Sequence, residues 1–190
     1  MGSNLMRTVT FADPDLVLQI NRDFVPVWHD QAVGRASGED QGPATAAQAE
    51  AYPEGGGGTN AVLLVCTADG TIAWRMQGYW TAARLAGELP HALAAVRTAA
   101  AGATKDARAA RAKSALLARR VELAAAQERL ATDNPEAMKE PVKLSKIRRE
   151  HAALGLLVDS YERARAEAGA DIAQALDVLA RANVDRGAIE

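Results

Sequence analysis

Residues 61–93, AVLLVCTADGTIAWRMQGYWTAARLAGELPHAL, decide the fold, because they read in order as strand, tight turn, strand and helix. The run AVLLVC is short, continuous and apolar, as a buried strand requires, and Ala68, Asp69, Gly70 and Thr71 supply turn chemistry. Residues 71–77 return as the second strand. Thr81 then offers a side-chain cap to a helix whose Leu85, Leu89 and Leu93 mark one buried side.

Toward the N-terminus, Asp13 and Pro14 pair an N-cap with a proline at the first helical position. Leu16, Val17 and Ile20 then give an apolar side to a short helix ending near Asn21. Phe24-Val25-Pro26-Val27-Trp28 reads as a short strand whose internal proline lacks a ladder donor. Residues 29–59 show no period and run into four glycines, Gly55 to Gly58, so they read as a long irregular loop. Those glycines precede a strand rather than a helix, which removes the helix N-terminus that a phosphate-binding loop needs. Residues 1–10 suggest no element.

Toward the C-terminus the composition changes at Val96 and becomes rich in Ala, Arg and Leu. Gly102 marks a break, and a long helix is expected over 105–131, with Leu116, Leu117, Val121, Leu123 and Leu130 within about half its circumference. Asp133-Asn134-Pro135 ends it, and Pro141 opens a second long helix. On that helix Ile147, His151, Leu154, Val158 and Tyr161 follow one another at the spacing of an antiparallel hairpin seam. Gly169 closes it, and Asp171 caps a last helix with Ile172, Leu176 and Leu179 on one face.

Composition narrows the function classes. The chain is 48% apolar and 24% charged, which a folded protein needs and a disordered one lacks. Its net charge of −2 divides into −5 over residues 1–90 and +3 over 91–190, too mild for a nucleic-acid partner. One cysteine cannot form an intrachain disulfide or a cysteine-only zinc site, and the three histidines are too dispersed for a metal centre. Neither a cofactor nor a metal is expected. No apolar run approaches the roughly 18 residues of a membrane span, and the first 30 residues lack a signal-peptide pattern. The expectation is a cytoplasmic protein with no membrane partner and no identifiable small-molecule ligand.

The order helix, strand FVPVW, glycine-rich loop, hairpin and helix resembles a thioredoxin-like domain. The phrase TFADPDLVLQINRDFVPVW is similar to one in the thioredoxin-domain proteins of the spermatogenesis-associated type, where it follows a redox Cys-x-x-Cys helix. That resemblance covers residues 6–95. It implies a truncated thioredoxin-like α/β domain over 1–95, followed by an α-helical domain over 96–190. The family's Gly-Gly-Trp-Pro phrase, with its cis-proline beside the redox site, corresponds here to Gly57-Gly58-Thr59-Asn60, so the proline is gone. The two redox cysteines would fall at or before Ser3, and neither is present.

Thiol–disulfide exchange needs an activated thiolate and a resolving thiol, so the expected function is a redox-inactive interaction or structural module. The alternative is a single-cysteine redox enzyme or a peroxide or thiol sensor using Cys66. Candidate binding positions are Trp28 and His29 at a strand end, Asn60 in the place of the family's proline, and Tyr79 and Trp80 around Gly78. Leu116, Leu117, Val121 and Leu123 are candidate interface residues for a protein partner or self-association.

Overall fold

The computed structural model describes residues 2–27, 43–56, 61–139 and 146–173. In chain order these form α1 (Gly2–Thr8), a 3-10 turn (Thr10–Ala12), α2 (Pro14–Asp23), α3 (Ala46–Ala51), β1 (Val62–Cys66), β2 (Ile72–Gln77), α4 (Ala82–Ala100), α5 (Lys105–Asp133), α6 (Pro135–Lys139) and α7 (Lys146–Glu167). The described chain is mostly helical around one small antiparallel sheet.

The hairpin lies where turn chemistry places it. Val62 faces Gln77, Leu63 Met76, Leu64 Arg75 and Val65 Trp74; a bulge between Val65 and Cys66 then sets Cys66 against Ile72. At the turn Gly70 adopts φ +81°, and Asp69 accepts hydrogen bonds from the Thr67 hydroxyl and from the Thr71 amide at 3.3 Å. Those bonds, with Thr67 the larger influence, lower the Asp69 pKa to about 2. Arg108 of α5 reaches the same carboxylate at 2.6 Å, which ties the hairpin tip to the helices.

From Ile72 to Met76 β2 is buried, and its surroundings are helices. Helices α4, α5 and α7 all pack against it, and α5 lies along α7 and against α4. The α4 face that meets them carries Leu85, Glu88, Leu89, Ala92, Ala95 and Ala99, and its alanines allow close helix approach. Pro90 removes the helical donor for the Ala86 carbonyl, and Gln19 Nε2 of α2 supplies one at 3.2 Å. On α7 the buried line runs Ala153, Leu154, Leu157, Ser160, Tyr161 and Ala164. His151 and Val158 of the expected seam are only half-buried, while Leu157, outside that seam, is fully enclosed.

Several expectations need correction. Residues 2–8 form a helix whose Leu5 and Met6 are buried, although no local capping signal announces it. Its hold is tertiary: Met6 Sδ accepts the Trp80 amide at 3.3 Å, and Thr10 donates its hydroxyl to the Trp80 carbonyl at 2.6 Å. The expected strand is absent over residues 24–27, which join no sheet; Val25 and Val27 are 90% and 89% exposed, and Pro26 between them has no donor. Trp28 and residues 29–42 lie outside the described residues. The loop expected over 29–59 contains α3, started by a capping box in which Thr45 and Gln48 bond each other's backbone amides. Helices α2 and α5 each run two residues beyond their expected ends, to Asp23 and Asp133. Beyond α7, Gly169 turns the chain at φ +96°, and the Asp171 side chain accepts the Ala173 amide at 2.9 Å. Leu176 and Leu179 of the last expected helix fall outside the described residues.

The composition change at Val96 falls inside α4. One apolar core includes Leu5, Leu16, Trp74, Leu85, Leu116, Leu157 and Ala168, and so spans both sides of that position. Residues 169–172 return to the sheet: the Gly169 amide bonds the Ile72 carbonyl, and the Ile72 amide bonds the Ala170 carbonyl, both at 2.9 Å. The start of β2 is thereby paired on both edges.

Gly78 ends β2 at φ +89°, and a Cβ there would lie 2.5 Å from the Gly55 carbonyl oxygen. Gly78→Ala is therefore expected to lower stability by roughly 2 kcal/mol in urea unfolding, whereas a loss below about 0.5 kcal/mol would mean that this turn relaxes freely.

Candidate functional site

The polar side chains converge inside the helical layer. Glu88 sits among Leu85, Leu89 and Ala92 on the buried side of α4 and is 3% exposed. A carboxylate so enclosed must find donors, and two neighbouring helices provide them. Arg119 of α5 approaches with Nη2 at 2.7 Å from one oxygen and Nε at 3.3 Å from the other. The Tyr161 hydroxyl of α7 donates to that second oxygen at 2.7 Å. Burial, and then the negative charge of Glu88, hold the Tyr161 phenol well above its ordinary pKa, so it stays a donor. Its ring meets Trp74 of β2 edge to face, centroids 6.4 Å apart at 73°.

A second cluster joins the start of α4 to α7. Glu54 accepts the Thr81 hydroxyl at 2.7 Å, and Arg84 lies between Glu54 and Glu150. Arg75, buried in β2, pairs with Glu167 and donates to Gln77 Oε1 at 3.0 Å. These groups bond each other in pairs and triads. Such an arrangement holds elements in register but presents no poised nucleophile, general base or oxyanion donor to a substrate.

Cys66 stands apart from both clusters. It is half-buried at the end of β1, and burial first, then the charge of Asp171, push its pKa up to about 11. Both influences oppose ionisation. At pH 7 the thiolate fraction is on the order of one in ten thousand.

The other anticipated residues separate by burial. Tyr79 and Trp80 are enclosed: Tyr79 packs edge to face on Tyr52 at 5.7 Å, and the Trp80 indole donates to the Gln77 carbonyl at 2.9 Å. Both serve packing in this structure. Trp80 gives an edge to a cleft of about 80 Å³ between Gln77 and Ser160, which suits a few waters rather than an organic ligand. Trp28, His29 and Asn60 lie outside the described residues. On α5, Leu116 and Leu123 point into the core, whereas Leu117 and Val121 are 40% and 55% exposed. Of the four residues expected at an interface, only these two reach the surface. Among the described residues no group of three His, Cys, Asp or Glu side chains could hold a metal, and no helix is long and apolar enough to cross a membrane.

The Glu88 cluster was not anticipated, although its sign was present: a carboxylate standing between Leu85 and Leu89 on the apolar side of a helix. Arg120, which falls inside the apolar stripe of its own helix, pairs with Glu162 at 3.0 Å near the surface. Comparison with protein families, with curated proteins and with solved structures finds no match.

Two outcomes follow from this geometry. Glu88→Ala strands the Tyr161 hydroxyl and leaves Arg119 with Glu122 alone, and is expected to cost about 3 kcal/mol, against about 1 kcal/mol for Tyr161→Phe; equal small losses in thermal unfolding would show the cluster to be solvated. Alkylation of Cys66 by iodoacetamide is expected to rise about tenfold per pH unit from pH 7 through 9 without levelling, while a plateau near pH 8 would reveal an activated thiol.

Proposed function

We propose that the chain is a thioredoxin-like module without thiol–disulfide catalysis, acting through protein contacts in a reducing, cytoplasmic setting. The observation that carries this reading is the state of its one thiol, Cys66, half-buried beside Asp171 with a pKa pushed up to about 11. An attacking thiol at neutral pH needs the opposite surroundings, a nearby cation or helix N-terminus and access to solvent. The same observation weighs against a single-cysteine peroxide sensor, which depends on thiolate character. The thioredoxin-like part of the reading is supported by the order of elements, an antiparallel hairpin leading directly into α4, together with the phrase at residues 10–28. The binding part is supported by Leu117 and Val121, apolar side chains left on the outer side of a long helix.

Insulin reduction with dithiothreitol as electron donor is the direct test. The rate is expected to equal the reagent blank for the unaltered chain and for Cys66→Ser alike. Turnover above the blank that Cys66→Ser abolishes would establish a catalytic thiol and end this reading.

A further inference from the structure

The small sheet has one open edge. In an antiparallel ladder, alternate residues direct both backbone groups at the partner strand, and the residues between them direct both away. The Gly78 amide bonds the Ala61 carbonyl at 2.9 Å, so in this register Leu63 and Val65 bond β2, while Val62, Leu64 and Cys66 direct their N–H and C=O groups outward. On β2 the same alternation turns the Ile72 groups outward, where they meet Gly169 and Ala170. Among the described residues no strand meets the outer edge of β1. Such an edge is a template for pairing.

Residues 24–27 are its complement. Phe24 leaves α2 in an extended conformation, φ −137° and ψ 162°. Donors along the segment are one-sided: the Ile20 carbonyl takes the Phe24 amide at 2.8 Å and Pro26 has no N–H, whereas Val25 and Val27 carry theirs on the alternate side. Among the described residues neither valine makes a backbone hydrogen bond, and they are 90% and 89% exposed. Branched side chains flanking a proline whose nitrogen faces away from the ladder suit an edge strand. One chain thus leaves two matching edges open and closes neither.

We propose that two copies of the chain exchange these segments, residues 24–27 of each adding as an edge strand beside β1 of the other about a two-fold axis. The exchange rests on the protein-contact reading above and gives that contact its partner. Val25 and Val27 supply amides and carbonyls to Leu64 and its outward neighbours. Phe24 and Pro26 then face solvent with no free donor, so the enlarged sheet recruits no further strand and assembly stops at the dimer. Two bonding residues per added strand make a modest, reversible contact, with Kd on the order of 100 μM.

The test uses the full chain with its thiol kept reduced. Between about 10 and 500 μM, exchange of the Leu64 amide is expected to slow roughly fivefold, together with the amides of Val25 and Val27, while Leu63 and Val65, already bonded to β2, stay unchanged. In sedimentation equilibrium Val25→Pro with Val27→Pro removes both donors and is expected to weaken the dimer at least about tenfold, with no change in melting temperature at positions so exposed. Val25→Thr with Val27→Thr keeps donors and branching and is expected to dimerise within about threefold of the unaltered chain. A strict monomer at about 500 μM, a Leu64 amide indifferent to concentration, or a proline variant that dimerises like the unaltered chain would overturn the proposal. Failure of the non-catalytic reading would appear in insulin reduction instead, and would leave these association measurements unaltered.

Discussion

A carboxylate without water must be surrounded by donors, and Glu88 obtains its donors from two helices other than its own. Removing it from solvent costs several kcal/mol, which only correct placement of both Arg119 and Tyr161 offsets. Slippage of α5 by one residue would turn Arg119 away and leave the charge without a cation, and slippage of α7 would remove the Tyr161 donor. The cluster thus selects one register among the many that alanine-rich helix faces would tolerate. Through the contact of Tyr161 with Trp74, the same register reaches β2.

That constraint explains how so small a sheet persists. An isolated two-stranded hairpin is marginal in water, and this one is stabilised by burial of nearly the whole of β2 beneath helices and by pairing of its first residues with the chain after α7. The N-terminal helices contribute Leu5, Met6 and Leu16 to the same core and bond the backbone at Trp80. The outer side of α5 leaves Leu117 and Val121 partly exposed.

The hairpin, α2, α4 and most of α5 were legible in the sequence because each carries a strong local signal: turn residues at 68–71, the Asp13-Pro14 cap, the Thr81 cap, the break at Gly102 and apolar side chains at helical spacing. Helix α1 was not, since seven residues held by distant contacts to Trp80 leave little local trace. Phe24 to Val27 misled by composition, as β-branched residues beside a proline carry strand propensity without a partner to pair with. Leucine positions alone could not separate Leu116 from Leu117, because a one-residue step moves a side chain about 100° around the helix. Tyr79 and Trp80 stand close together in the sequence as either core or binding residues do, and in the folded chain theirs is the clustering of a core. The Glu88 cluster left one local trace, a carboxylate between Leu85 and Leu89, and apolar periodicity does not show which residues of other helices face it.

If the buried carboxylate joins sheet and helices into one cooperative unit, native-state hydrogen exchange will show it. The amides of Trp74 and Met76 in β2, Leu89 in α4, Leu123 in α5 and Leu157 in α7 should exchange through a common opening with the free energy of global unfolding. Exchange of α5 and α7 through a separate opening, lower than that of β2 by more than about 1 kcal/mol, would contradict a single core and would divide the chain near Val96 after all.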